Sequence, residues 1–477
     1  LSRDPIPDPS GGARLEQAFG RASGARLIPG NRVDLLRDAT ENYPAWLEAI
    51  EAARHSILFE SYIIHDDDTG DRFARALSER ARAGVAVRVL YDWLGAVGKT
   101  RRRFWRNLRA AGVEVRAFNP PAWSSPFAGL SRDHRKLLTV DGRIGFVTGL
   151  CVGRYWVGDP ARGLAPWRDT GIAVTGPAVA ALEQGFARMW ALSGPGMEPT
   201  HAAPAPHAVA GPVSVRVVDT DPGTAGLYRL DQIVAAAARR RLWLSDAYFV
   251  GTSTYVQALR AAAADGVDVR LLVPGSSDIW ALRELSRAGY RPLLEGGVRV
   301  YEWNGTMMHA KTAVADGWWA RVGSSNLNPQ SWFSNWELDV VVEDEAFAGA
   351  MERMYLEDLA QSTEIVLTAR SRMVGAPRPR GNRMRRPGSA GRAAAGAVSI
   401  GSAVGAAVTG RRVLGPAEAR VMAASGALLV LLAIVGVIWP RALAVPIAVL
   451  ALWLGVAALL RARTLRRRRT AVSERAP

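Results

Sequence analysis

The stretches HRKLLTVD (134–141) and HAKTAVAD (309–316) both read His, any residue, Lys, four residues, Asp, and they start 175 residues apart. With 6 His, 3 Lys and 24 Asp among 477 residues, chance supplies roughly 0.002 such patterns per chain. Two of them restrict the chain to folds that use one unit twice. The flanking sequence agrees. FESYIIHDDDTGDRFARALSERARAGVAVRVLYD (59–92) parallels SDAYFVGTSTYVQALRAAAADGVDVRLLVP (245–274): an apolar strand ending in an aromatic, an amphipathic helix, a Gly-Val turn and an alternating strand. Leu77 and Leu259, Gly84 and Gly266, and Val87 and Val269 share one offset of 182. The expected fold class is α/β, with two repeated units packed about a pseudo-two-fold axis. The Pro/Gly/Ala stretch AAPAPHAVAGP (202–212) has the composition of the linker between them.

Two of the three lysines, Lys136 and Lys311, fall inside the motifs of a chain that otherwise uses arginine, 57 times. Alternate residues of a strand share a face, so His134 and Lys136 are expected to point one way, as are His309 and Lys311. Asp141-Gly142 and Asp316-Gly317 read as tight hairpin turns. If the units face each other, two imidazoles and two ammoniums form a small cationic pocket that needs neither metal nor cofactor. That is equipment for phosphoryl transfer: one imidazole attacks phosphorus, the other protonates the leaving alkoxide, and the ammoniums stabilise the developing charge. Lysine is a compact point charge and arginine a broad planar fork, so a tight site can demand lysine. The lone cysteine, Cys151, allows no internal disulfide and no metal cluster, which fits a reducing compartment.

The net charge of +16 is uneven. Residues 1–368 hold 41 Lys and Arg against 42 Asp and Glu, whereas 369–420 hold 11 Arg against one Glu. A neutral globular part argues against nucleic acid as a partner. The stretches VMAASGALLVLLAIVGVIW (421–439) and ALAVPIAVLALWLGVAALL (442–460) are uncharged and separated only by Pro440 and Arg441. Each is about long enough to cross a bilayer core of roughly 30 Å. Arg411, Arg412 and Arg420 precede them and six arginines follow within 461–469. By the positive-inside rule both ends face the cytoplasm, and the globular part lies against the inner leaflet near anionic lipid. No charged segment followed by an apolar run opens the chain at Leu1, so no signal peptide is expected there. The expected organisation is an N-terminal extension (1–29), unit one (30–205), unit two (206–368), a basic linker (369–420), a transmembrane hairpin (421–461) and an Arg-rich tail (462–477).

HRKLLTVDGRIGFVTG and HAKTAVADGWWARVGSSN resemble the paired motifs of the phospholipase D superfamily. With NRVDLLRDATENYPAWLEAI, FESYIIHDDDTG, WRDTGIAVTGPAV and VGSSNLNPQSWFSNWELDVVVED, the chain is similar to bacterial cardiolipin synthases over roughly residues 30–365, especially the type called cardiolipin synthase B. The resemblance implies two phospholipase D-type units, no cofactor, and phosphatidyl transfer through a phosphatidyl-histidine, with phosphatidylglycerol as substrate and an alcohol or lipid as acceptor. It makes His134 the nucleophile and His309 the acid/base. Lys136 and Lys311 hold phosphate with Ser324, Asn326 and Thr148 beside them, and Asp169 and Glu337 orient the histidines. Asp141 and Asp316 complete the motifs, more as turn supports than as substrate contacts. The chain departs from the family where Gly-Gly-x-Asn is usual: it has Thr148, Gly149, Leu150 and Cys151, a weak thiol donor for a carboxamide.

The same motifs serve a phospholipase D that uses water as acceptor, and a nuclease, for which the neutral residues 1–368 are a poor match. A membrane-anchored binding protein with a dead site also remains open, argued against by complete motifs in both halves. Of 16 tryptophans, Trp123, Trp318, Trp319, Trp332 and Trp336 lie near the motifs; a rim at lipid headgroup level and core packing are their two uses.

Overall fold

The computed structural model describes residues 9–121, 131–197, 208–278, 286–367 and 373–375, with isolated positions between 430 and 456. The first half contributes β1 (Ile28–Arg37), β2 (Ser56–Ser61), β3 (Ala86–Asp92), β4 (Glu114–Phe118), β5 (Lys136–Val140), β6 (Ile144–Thr148) and β7 (Thr170–Thr175). The second contributes β8 (Val213–Thr220), β9 (Arg241–Ser245), β10 (Asp268–Pro274), β11 (Arg299–Trp303), β12 (Thr312–Ala315), β13 (Trp319–Gly323) and β14 (Glu337–Glu343), then β15 (Ser362–Leu367) and β16 (Met373–Gly375) at its edge. All sixteen join one sheet. From its middle outward one half runs β1-β7-β6-β5-β2-β3-β4 and the other β8-β14-β13-β12-β9-β10-β11, continued by β15 and β16. The two orders correspond strand for strand, so the halves are related by a pseudo-two-fold axis at the antiparallel β1–β8 junction.

Helices cover both faces, which is why strands such as β3 (AVRVLYD) are almost wholly buried and lack strict alternation. Over the first half, helices Asp38–Ala52 and Asp68–Arg82 close an aromatic core of Trp46, Phe59, Phe73 and Phe146. Asp67 caps the second of these by accepting from the N–H groups of Thr69 and Gly70, both at 3.1 Å. On the opposite face, helices Ala178–Leu192 and Glu345–Ala360 share one core across the two halves, with Phe186, Trp190, Met351 and Tyr355 packed among β-strand valines. Each also reaches the first strand of the other half. That shared core fixes the halves against each other, and with them any site at their junction.

The helix Pro9–Ser23 belongs to neither a free extension nor the first unit. Phe19 stacks on Trp318 at 6.4 Å and enters the second half's core, while the fully buried Arg216 donates to Ala25 O at 3.0 Å and pairs with Glu16 at 3.2 Å. The chain then passes through β1 into the first half, so the expected boundary at residue 30 falls inside a strand. Apolar burial explains the docking, because an amphipathic helix with no partner face in its own unit takes the one nearby. Trp319 and Trp332 are core residues; Trp123 lies outside the described residues. So do most of the expected linker, the basic connector and tail, and most of the expected hairpin. Val430, Ile434, Ile438, Val445 and Val449 are helical and exposed. No helix among the described residues is long and apolar enough to cross a membrane.

Candidate active site

β5 starts at Lys136 and β12 at Thr312, so His134 and His309 precede the strands expected to hold them. Their backbones pair across the junction instead. His134 N–H donates to Trp336 O at 3.0 Å and Trp336 N–H to Arg132 O at 2.8 Å; His309 N–H donates to Arg168 O at 2.7 Å and Arg168 N–H to Met307 O at 2.8 Å. Each motif is thereby clamped by the WRDT or NWE segment of the other half.

The side chains repeat this crossing. His309 Nδ1 lies 2.7 Å from Asp169 Oδ2, and His134 Nδ1 lies 2.9 Å from Glu337 Oε2 and 3.1 Å from Oε1. A carboxylate only accepts, so it holds the proton on Nδ1 and leaves Nε2 with a free lone pair. Both acids are fully buried and made to stay ionised. Asp169 Oδ2 also accepts from the Trp156 indole at 2.9 Å and Oδ1 from Thr170 N–H at 2.9 Å. Glu337 accepts from Ser324 Oγ at 2.6 Å and from Asn335 Nδ2 at 3.1 Å. Burial pushes each carboxyl up, but the neighbouring histidine and lysine outweigh it and leave both below the ordinary carboxylate range.

Burial also pulls each imidazole down to about 4, against the opposing Glu337 at His134 and, at His309, with Lys311 assisting and Asp169 opposing. Both rings are therefore neutral near pH 7. Each also feels the ammonium of the opposite motif, so the four groups share one field. Lys311 is drawn down to about 8 by burial, with Asp169 opposing. Lys136 donates to His134 O and its ammonium stands 5.3 Å over the Tyr62 ring; Lys311 donates to His309 O and stands 6.0 Å over the Tyr248 ring. The arrangement offers two nucleophilic nitrogens and two cations to a phosphate monoanion.

Other expected site residues take different work. Asp141 and Asp316, at the far ends of β5 and β12, sit at φ 54° and 53° in their turns. Each accepts three backbone N–H bonds, from Arg54, His55 and Ser56 and from Arg239, Arg240 and Arg241 respectively, all at 2.7–2.9 Å. They pin the loops before β2 and β9, away from the histidines, because a turn carboxylate finds free N–H groups at its own end of the sheet. Thr148 accepts from Leu150 N–H and donates to Thr170 O, and Ser324 is consumed by Glu337, so neither hydroxyl is spare for phosphate. Asn326 is buried, and its side-chain oxygen, an acceptor, has no hydrogen-bond partner among the described residues. Cys151, at the matching position, is buried with its carbonyl held by the Tyr43 hydroxyl.

The sequence reading missed Tyr62, Tyr248, Trp156, Trp167 and Asn335. Tyr62 and Tyr248 meet His134 and His309 edge-on at 5.0 and 6.1 Å, while Trp156 and Trp167 both lie 5.5 Å from the His309 ring. The matched aromatics of SYI and AYF were a usable signal. Gly149 was another: where the second copy has Ser324, a Cβ would stand 2.2 Å from Asp169 Oδ1.

A family model described as cardiolipin synthase, PLD-like domain, matches residues 46–190 and 232–359, one segment in each half. The chain belongs to this cardiolipin synthase, phospholipase D-like family. Cardiolipin synthase A of Pseudomonas fluorescens is 36% identical over 343 residues, which cover 71% of this chain and 70% of the relative. Cardiolipin synthase A of Pseudomonas aeruginosa is 36% identical over 357 residues, 73% and 71% of the two chains. These family relatives do not distinguish the B type. A crystal structure of phosphatidylserine synthase from Haemophilus influenzae superposes with a TM-score of 0.56 at 13% identity, over 74% of this chain and 91% of that one, a likeness of fold.

Proposed function

We propose that this protein is a membrane-attached phosphatidyltransferase that joins two phosphatidylglycerol molecules into cardiolipin through a phosphatidyl-histidine. The observation that carries the proposal is the crossed bracing, in which a carboxylate from the opposite half holds Nδ1 of each imidazole and leaves its Nε2 lone pair free, while each motif lysine donates to the carbonyl of its own histidine. The names of the relatives point the same way.

His134 Nε2 attacks the phosphorus of the first phosphatidylglycerol, the P–O bond to the glycerol headgroup breaks, and His309 gives the leaving oxygen its proton. The phosphodiester anion between the rings supplies what the free site lacks: a negative charge that raises the proton affinity of His309. The headgroup hydroxyl of a second phosphatidylglycerol then loses its proton to His309 and attacks phosphorus, the P–N bond breaks, and cardiolipin and glycerol are the products. Lys136, Lys311 and Asn326 hold the phosphoryl oxygens, while Asp169 and Glu337 fix the tautomers.

Purified protein incubated with labelled phosphatidylglycerol should yield labelled cardiolipin, with the same rate after exhaustive chelation of divalent metal. Loss of activity on chelation and its return with metal would refute a chemistry resting on two histidines and two lysines. Hydrolysis to phosphatidic acid alone would make water the acceptor.

Residues 421–461 form a transmembrane hairpin in this proposal, anchoring the catalytic units to the cytoplasmic face of a bacterial inner membrane. The basic connector and tail lie against anionic headgroups. A C-terminal tag should resist protease in right-side-out vesicles and be cleaved in inverted ones; cleavage in the former only would overturn the topology.

A further inference from the structure

The residue that precedes each bracing acid has the same backbone role in both copies but a different side chain: Arg168 before Asp169 and Trp336 before Glu337. Trp336 is half-buried and lies under the Arg188 guanidinium at 5.3 Å. Arg168 is 7% exposed, and its guanidinium reaches both halves. Its Nε donates at 2.8 Å to Asp358 Oδ1, on helix Glu345–Ala360 of the second half. Its Nη1 donates at 2.9 Å to Asp38 Oδ1, at the start of helix Asp38–Ala52 of the first half, and also to Asp169 O. Asp38 closes on the same acid from the other side. Its carboxylate accepts from Asp169 N–H at 2.8 Å, and its own N–H donates to Asp169 O at 3.1 Å. Asp38 makes this double contact from the left-handed region, at φ 48°, which aspartate tolerates better than most residues. Both backbone polar groups of Asp169 are thus anchored, and its carboxylate stands a short side chain away from them.

We infer that Arg168, together with Asp38 and Asp358, is a positioning residue for the acid/base pair: it holds the Asp169 carboxylate where His309 needs it, and serves the proton-transfer side of the site alone. The inference rests on the phosphatidyl-transfer reading with His309 as acid/base, and adds to it a guanidinium that acts only through Asp169. Stability is a weak reason for the arrangement, because burying a guanidinium costs desolvation that ion pairs often only just repay. Geometry is a stronger one. Asp169 comes from the first half and His309 from the second, and Arg168 ties the acid to a helix of the second, so carboxylate and ring are referenced to one body. A displaced carboxylate lengthens its bond to Nδ1 and turns the ring, and misplacement by about 1 Å costs on the order of 10² in rate. Lysine keeps the charge of Arg168 but not the fork, and a point charge cannot span Asp38 and Asp358 as a planar guanidinium does. The equivalent position before Glu337 holds an indole, so losing the fork strikes one imidazole and spares the other.

Two donors given to the full-length protein in mixed micelles separate the two sides. With phosphatidyl-p-nitrophenol, His134 attacks phosphorus, the P–O bond breaks and nitrophenolate departs as an anion that needs no proton. Its release in a single turnover, with protein in excess, reports the His134 step alone. Cardiolipin formed from phosphatidylglycerol needs His309 as acid and then as base. Arg168→Lys and Asp358→Asn should each lower kcat for cardiolipin by roughly 10- to 100-fold with KM little changed, while nitrophenolate release stays near wild type. The ratio of the two rates on one preparation cancels any loss of folded protein. Glu357→Gln, which breaks the neighbouring ion pair with Arg37 across the same junction, should move neither rate. An unchanged ratio in Arg168→Lys and Asp358→Asn, whether both rates hold or both fall together, overturns the inference. The wild type judges the underlying reading separately: nitrophenolate release without cardiolipin removes the synthase reading, and the ratio is then taken against exchange of labelled glycerol into phosphatidylglycerol.

Discussion

Asp169→Asn should lower cardiolipin formation by roughly 10³ to 10⁴ in kcat, the scale seen when a buried carboxylate that orients a catalytic histidine becomes a carboxamide. Every group facing Asp169 is a donor: His309 Nδ1, the Trp156 indole and Thr170 N–H. Asparagine must turn its NH2 toward one of them, and a buried donor set against a donor costs on the order of 1–3 kcal/mol. If the NH2 faces His309, the ring proton moves to Nε2 and the lone pair that must take the acceptor's proton is gone. If it faces Thr170, the tautomer survives, but the imidazolium formed in the cycle has lost its counter-charge. Either orientation removes acid/base function from a residue in the other half of the chain. Steady-state rates at matched protein and lipid, with folding checked by thermal unfolding, decide the matter. A loss smaller than about tenfold would show that the crossed bracing is structural and not part of the chemistry.

Lys311→Arg preserves charge and should still lose at least about 100-fold in turnover. The lysine side chain is 1% exposed, its ammonium donates to His309 O and lies 3.0 Å from His309 Nδ1, and the Tyr248 ring closes its outer side. A guanidinium is wider and spreads its donors in one plane, so it must displace the imidazole or the tyrosine to enter. Lys99→Arg, half-buried and outside the motifs, serves as the comparison and should be near neutral. Turnover of Lys311→Arg close to wild type would mean that net charge alone suffices there.

Much of this was legible in one dimension because its causes are local. The spacing of His and Lys, the Asp-Gly turns with both positive-φ residues, and the strand-helix-strand pattern at one offset each depend on neighbours a few residues away. Composition also separated the neutral units from the basic and apolar C-terminal part. Reading failed where a residue's partner came from elsewhere. Ser324 looked like a phosphate donor because its motif neighbours are, yet Glu337 takes its hydroxyl. Trp156 looked like one tryptophan among sixteen, and only its contacts with Asp169 and His309 give it a place at the site. Residues 9–23 read as an extension because nothing in their own vicinity needs an apolar face; the second half's core does.

The sequence by itself determined that there are two copies of one α/β unit, that each carries an imidazole and an ammonium, and that the reaction class is phosphoryl transfer. Only the tertiary structure decided which carboxylate serves which histidine: Asp169 reaches His309 across 140 residues of chain, and Glu337 reaches His134 across 203. It also decided that Ser324 turns its hydroxyl to Glu337 and that Trp156 donates to Asp169. The reason is physical. Spacing along a strand or turn is set by backbone geometry that every residue carries with it, whereas a contact between halves exists only after a shared apolar core has fixed them together.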